Sequence, residues 1–334
     1  MLKRQLQILM LAAVTGAALY GQFTSGSTGA DGAYSPTVSG DFEIGSLDPD
    51  GDNVFNFTTI NIPAGVTIRL RGSKLRNRAV TWLASGAVTI AGTLSLDGAT
   101  PATINTNDGN AAIAAARIPP DPGPGGYTGG LGARGGVAAE AGAGPGGGPA
   151  GTGTTLFGCD GGSGSFSYPG ITHSSGLLAG PTYGSYLAIP LYGGSGGGGG
   201  SQGTSATFVG GVGGSGGGAI RIISDGVTTV TGVIRSNGGG TGSVVGTLAG
   251  CPGGSGAGGT IHLVAATIAG NGTLQVNSGF HPNFGNGAST GLIRFSTSND
   301  NFYTLSAAER DNAVMRYGYT ALELAGYVWT APRG

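Results

Sequence analysis

Charge is scarce in this chain. Only 15 basic and 16 acidic side chains occur in 334 residues, unlike the highly charged composition of a typical disordered tail. Lysine is scarcer still: beyond Lys3 there is only Lys74, and no P-loop exists. The three histidines, His173, His262 and His281, have no ligand spacing to either cysteine, Cys159 or Cys251. A zinc site at the cysteines is therefore not expected. Beyond residue 21 no apolar run is long enough to span a bilayer. Setting Lys3 and Arg4 aside with the leader leaves 15 − 2 = 13 basic against 16 acidic groups, a net of −3. That balance gives nucleic acid no electrostatic footprint.

Glycine is abundant, at 74 residues. Each one in a helix interior costs about 1 kcal/mol relative to alanine, so a helical protein is excluded. No Gly-x-y triplet is sustained, which excludes collagen. Residues 1–21 read as a secretory signal. Basic Lys3 and Arg4 precede an apolar stretch from Leu6 to Leu19, and small residues follow at Gly16, Ala17, Ala18 and Gly21. The mature chain should begin between Leu19 and Phe23 and be secreted or held at the cell surface. No cysteine lies near the cleavage region, so no lipid anchor is expected.

The remaining sequence is built on a repeat. Ala219 to Gly238 reads as two short strands, closed by Asn237-Gly238, with Ile220, Ile222, Val230 and Ile234 on one face. The same unit runs from Ala79 to Gly98 at a constant offset of 219 − 79 = 140 residues. Val80, Trp82, Ile90, Gly92, Leu94 and Asp97-Gly98 take the equivalent places. A third copy, Thr260 to Gly279, keeps Ile261, Leu263, Ile268, Gly272, Leu274 and Asn277 within a one-residue slip. Gly291 to Ser296 repeats the first strand alone. Ile222 should thus face inward with Trp82, Leu263 and Phe295, and Arg221 should lie on a solvated outer face, where its replacement by serine should be mild, within about 0.5 kcal/mol. Units too small to bury their own apolar face must stack on their neighbours. The pattern resembles parallel β-helix proteins of bacterial surfaces. The expected fold is all-β: a parallel β-helix or β-solenoid over 79–296, preceded by an N-terminal cap and first strands over 22–78. Gly-rich inserts interrupt it at 98–218 and 239–258, and a small strand–helix–strand module follows over 297–334.

Two readings of the inserts stand side by side. One is flexible linker. The other is a layer of extended, polyproline-II-like strands packed closely because glycine has no side chain. Such Gly-rich arrays are similar to those of phage tip adhesins and some ice-binding proteins. Ordering costs about 1–2 kcal/mol per residue in backbone entropy, so many interchain hydrogen bonds would be needed. Interspersed Tyr127, Phe157, Phe166, Tyr183, Tyr186 and Tyr192 favour an ordered insert with mobile tips.

Candidate sites are few. In an exported chain Cys159 and Cys251 are candidates for one disulfide; two buried free thiols are the alternative. Their segments, GCDGGSG and GCPGGSG, suggest neighbouring loops. Asp48, Asp50 and Asp52 alternate around Gly51 and could hold calcium through oxygens. The Glu that ends the twelve-residue calcium loop is missing, which favours a plain acidic turn. Arg69, Arg71, Lys74, Arg76 and Arg78 make a basic cluster, read either as contact with an acidic glycan or the cell envelope or as a solvated turn. Ser195 and Ser215 sit in G-x-S-x-G strings, but no helix follows either one, as a nucleophile elbow requires.

The segment from Asn301 to Pro332 is aromatic-rich. Ser306-Ala307-Ala308-Glu309 has the form of a capping box, predicting a helix to about Arg316. Phe302, Tyr303, Thr304, Ser306, Glu309, Arg310 and Asp311 resemble the H-F-Y-T-x-S-x-x-E-R-D core of a repeat of unknown function in secreted bacterial proteins. Tyr303, Arg310, Tyr317, Tyr327 and Trp329 are the candidate ligand-binding residues there, with capping of the solenoid as the alternative role.

A polysaccharide hydrolase or lyase needs paired carboxylates about 5–10 Å apart. The stacked positions Asp97, Asn237 and Asn277 supply only one acid, which favours a structural turn ladder. The expected function is an exported, non-enzymatic structural, adhesive or ligand-binding surface protein. A carbohydrate-active β-helix enzyme and an ice- or mineral-binding surface are the alternatives. An extracellular glycan or cell-envelope component is the expected partner, and calcium the one cofactor considered.

Overall fold

The computed structural model describes residues 24–110, 113–114, 117–154, 158–170, 179–281 and 287–297, together with the backbone of two further strands, Asn301–Phe302 and Glu323–Ala325. The expected signal segment, the helix after Ser306, and Tyr303, Arg310, Tyr317, Tyr327 and Trp329 lie outside the described residues.

Regular structure is almost entirely β, arranged in parallel sheets. The first sheet runs in the order Gly32–Tyr34, Val54–Ile62, Val80–Ala84, Ala219–Val230, Thr260–Ala269, Leu292–Ser296 and Asn301–Phe302. Val88–Ile90 bridges Val54–Ile62 and Ala219–Val230 beside that path. Only the final pair is antiparallel. The second sheet runs Gly40–Asp41, Thr67–Arg69, Thr93–Ser95, Val233–Arg235, Thr273–Gln275 and Glu323–Ala325, all parallel.

The repeat dictates the register. Val80 pairs with Ile220, Trp82 with Ile222, Ile90 with Val230 and Leu94 with Ile234, each at the 140-residue offset of the sequence. Ile222 in turn pairs with Leu263, and Leu263 with Phe295. The slip in the third copy is physical: the ladder shifts by one residue between Ala265 and Thr267. Between the sheets each repeat turns at a glycine. A Cβ on Gly232 would run into the carbonyl oxygen of Gly92 one repeat away, so close backbone stacking leaves no room for a side chain.

Inward-facing residues of both sheets form one core. Trp82, Ile90, Leu94, Ile220, Ile222, Ile234, Ile261, Leu263 and Leu274 are fully buried in it. At one end Tyr34, Phe42, Phe55, Phe57 and Trp82 pack with ring centroids 5.0–6.2 Å apart. Such pairs add stabilisation beyond the area they bury.

The Gly-rich inserts are not linkers where they are described. Their backbones form a hydrogen-bonded array with a period of three. Gly194, Gly197 and Gly200 donate to Gly217, Gly214 and Gly211, and accept from Tyr127, Gly130 and Ala133. Ser195, Gly198 and Ser201 accept from Ala257, Gly254 and Cys251. Gly196 and Gly199 donate to Ala143 and Glu140 and accept from Gly148 and Gly151, while Gly198 and Ser201 donate to Gly162 and Cys159. Three residues per turn is the period of polyproline II, whose backbone makes no internal hydrogen bonds. The segment 193–201 therefore directs its donors and acceptors outward, to segments on every side. A Cβ at Gly196, Gly197 or Gly198 would collide with carbonyls of Thr128, Gly254 and Pro149 respectively. Glycine is required here by close approach, and the backbone bonds are what offset the entropy of ordering it.

Candidate functional site

Cys159 and Cys251 are bonded, with sulfurs 1.98 Å apart and Cα atoms 5.7 Å apart. Their segments run side by side, Gly161 donating to Pro252 and Gly164 to Ser255. Two groups join them: Asp160, the residue after Cys159, and His281, which no sequence spacing ties to the pair. Asp160 is 1% exposed and His281 is fully buried. Asp160 Oδ1 lies 3.8 Å from Cys159 Sγ, and Asp160 Oδ2 lies 3.9 Å from His281 Nε2. Burial pulls the His281 pKa down to about 4.

The acidic triplet and the basic cluster meet each other. Asp48 is buried and accepts from the backbone N–H groups of Gly51, Asp52 and Asn53. It also pairs with Arg76. Burial alone would raise its pKa, but the Arg76 and Asn53 hydrogen bonds outweigh that and hold the carboxyl below its usual range. The Asp48, Asp50 and Asp52 carboxylates lie within 4.8 Å of one another. Asp48, however, is already occupied as the anchor of its own turn. Arg71 pairs with Asp41 at 2.9 Å, Lys74 with Asp41 and Glu43, and Arg78 with the Gly51 carbonyl. Arg69 is exposed. Most of the cluster thus ties the turn after the second-sheet strand Thr67–Arg69 to the lead-in.

Asp97, Asn237 and Asn277 form the ladder their spacing suggested. Asp97 Oδ1 accepts from Asn237 N and Asn237 Oδ1 from Asn277 N, both at 2.8 Å. The Asp97 and Asn237 side chains each cap the backbone of the next repeat. Ser195 and Ser215 are buried hydrogen-bond partners: Ser195 Oγ donates to the Tyr183 hydroxyl at 2.9 Å, and Ser215 Oγ to the Pro120 carbonyl at 2.5 Å.

No family model, curated protein or solved structure matches this chain. The geometry alone must carry the functional reading.

Arg221 requires a correction. It does sit on the outer face of the first sheet, aligned with His262 and Arg294, but that face is covered rather than solvated. Insert residues 187–188 cross it. Arg221 donates to the Ala188 carbonyl at 2.6 Å and to His262 Nδ1 at 3.1 Å, and Arg294 donates to the Leu187 carbonyl. His262 Nδ1 accepts, so the ring is neutral with its proton on Nε2, 3.0 Å from Ser296 Oγ. Burial, then Arg221 and Arg294, pull its pKa down to about 3.

Around a third, two-stranded parallel sheet formed by Ile104–Asn105 and Val244–Val245, the turns of the array converge. Asn107 Oδ1 accepts from Thr247, and Arg134 reaches Asn110. Arg134 bridges Val209, which bridges Ala249. Val137, Val245 and Leu248 are exposed there, at 67%, 47% and 38%. From Val209 to Gly218 the chain advances 218 − 209 = 9 residues, roughly 28 Å at about 3.1 Å per residue. The 140-residue offset of the repeat continues into this loop cluster, pairing Ile104 with Val244 and Asn107 with Thr247, but the glycine-rich segments around it carry too few side chains to make that visible in the sequence. Among the described residues no helix is long and apolar enough to cross a membrane.

Proposed function

We propose that the chain is an exported, non-enzymatic surface protein in which a β-solenoid base carries a glycine-rich array that holds adhesive loops away from it. The observation that carries this reading is the three-residue hydrogen-bond period around the segment 193–201. Such an array is a stiff spacer, and rigid scaffolds with variable loops at one end are a common way to build binding surfaces. The loops around Asn107, Arg134, Thr204 and Thr247 are rich in Ser, Thr, Asn and Gly, with single apolar side chains exposed among them. That mixture suits adaptable polar contacts around a few apolar anchors. An extracellular glycan or envelope component is the proposed ligand. The strand Glu323–Ala325 extends the second sheet beyond Thr273–Gln275, which supports a capping role for the C-terminal segment. The disulfide supports an oxidising, extracellular setting.

The test is a glycan-array and whole-cell binding screen of the mature protein beside a triple variant, Val137→Asp, Val245→Asp and Leu248→Asp. The variant should keep the wild-type melting temperature and lose binding. Undiminished binding by the folded variant would sink the loop assignment, and cleavage of a bound polysaccharide would sink the non-enzymatic reading.

A further inference from the structure

We propose that the joint between Cys159 and Cys251 has a second chemical closure: when its disulfide is reduced, the two thiolates and the Asp160 carboxylate bind one thiophilic divalent cation of the zinc class. The inference is independent of the adhesive reading. It rests on the donor set and its position. The two sulfurs and an Asp160 oxygen all lie within 4.8 Å of one another, and all three residues are buried, at 4%, 9% and 1% exposure. Zinc takes thiolates at about 2.3 Å and carboxylate oxygens at about 2.0–2.2 Å in a tetrahedral shell, which sets neighbouring sulfurs about 3.7 Å apart. Rotation of two cysteine side chains whose Cα atoms are 5.7 Å apart reaches that separation without moving the backbone.

Asp160 has one oxygen towards Cys159 and the other towards His281. At 3.9 Å the imidazole is beyond hydrogen-bond distance in the disulfide form; a turn of the carboxylate on metal binding would bring Nε2 within reach, giving the outer hydrogen bond that commonly supports a ligating side chain. His281 is therefore a positioning residue. The array explains why the donors would stay together once the S–S bond is gone. Gly161 and Gly164 still bond Pro252 and Ser255, and Ser201 bridges the two segments by donating to the Cys159 carbonyl and accepting from Cys251 N–H.

The chemistry balances. A dithiol reductant gives two electrons and two protons, its own disulfide forms, the Cys159–Cys251 bond breaks and two thiols result. A phosphine does the same with water, leaving as its oxide. Binding of the dication then forms two metal–sulfur bonds and releases both thiol protons to solvent. The cation blocks reoxidation while it is bound, because the thiolate lone pairs that would attack an oxidant are committed to it.

The experiment uses the mature protein, reduced anaerobically with a phosphine, desalted and titrated with Co²⁺ as an optical stand-in for Zn²⁺. The expected result is one Co²⁺ per chain, with a thiolate-to-cobalt charge-transfer band, bleached by one equivalent of Zn²⁺ and absent from the oxidised protein. Asp160→Asn should weaken binding at least tenfold and Cys159→Ser should abolish the band. His281→Gln should weaken binding without removing it. Circular dichroism follows the fold throughout. If reduction itself unfolds the chain, Zn²⁺ should restore the folded circular-dichroism spectrum of the wild type and not of Cys159→Ser. A folded reduced protein without the band, equal affinity for Asp160→Asn and wild type, or an unfolded reduced chain that Zn²⁺ does not rescue would each overturn the proposal.

Discussion

Replacing Gly197 by alanine adds a single carbon, and the structure says what it meets. The new Cβ would lie closer than 3.0 Å to the backbone of Gly254 and Ser255, a distance that real side chains do not adopt. Neither neighbour can rotate away, since both are main chain and Gly254 is itself bonded to Gly198 and Gly214. Overpacking a well-packed interior costs about 1–3 kcal/mol where side chains can repack. Here the array must part instead, so a cost of about 3 kcal/mol or more is expected. For a chain of this size that corresponds to a melting-temperature drop of roughly 5–10 °C. Gly40→Ala is the control. Gly40 lies in an edge strand, at ordinary φ, with nothing within 4 Å of the added carbon, and its substitution should stay within about 1 kcal/mol. Thermal and urea unfolding of the two variants beside the wild type decide the matter. Equal stability of Gly197→Ala and Gly40→Ala would refute the enclosed array.

Other outcomes follow from the same geometry. His262 and His281, with folded pKa values of about 3 and 4 against 6.5 unfolded, bind fewer protons folded than unfolded across that window. Their stabilisation is complete above pH 6.5 and is lost as pH falls towards those values; at pH 4.5 two units each amount to about 5 kcal/mol in total. A urea midpoint that stays flat from pH 7 to 4.5, or that falls as steeply in His262→Gln as in the wild type, would contradict this. Ile222→Asp should destabilise by several kcal/mol, because it buries a carboxylate between Trp82 and Leu263. Arg221→Ser should cost about 1–3 kcal/mol by leaving the Ala188 carbonyl and His262 Nδ1 unpaired; an effect within 0.5 kcal/mol would mean that the covering segment is not held this way. Alkylation without reductant should label neither cysteine. Reduction should cost up to about 4–5 kcal/mol for a loop of 92 residues, read as a shift in urea midpoint.

The stacked repeats were legible because their side chains carry two signals at once, alternation along a strand and recurrence at 140 residues. Trp82 and Ile222 differ in size but share a position in both patterns, and the sequence sufficed to pair them. The shift between Ala265 and Thr267 was visible only as a slip, since one extra residue leaves alternation intact on either side. The glycine array offered no pattern of either kind; its order lies in backbone bonds that any sequence able to approach closely enough could make. The outer face around Arg221 was misread because the segment that covers it comes from residues 187–188, and a period-two rule says nothing about what lies over a sheet. His281 could not be tied to the disulfide for the same reason: a contact between residues so far apart leaves no local spacing to find, while Asp160, next to Cys159, carries no sequence mark of a carboxylate turned towards the sulfurs.

The path of the chain through residues 193–201 also sets an order of events during synthesis. That segment needs partners from Gly125 onward and others as late as Ala257; the first full repeat pairs early with Val54–Ile62 and Thr67–Arg69, but its other edge waits for Ala219–Val230 and Val233–Arg235. Contacts of such sequence separation form slowly. The glycine array therefore cannot close until residues as late as Ala257 have emerged. On the proposed export route, in which the chain would cross a membrane as an extended thread, this topology delays closure of the array until most of the polypeptide is on the far side.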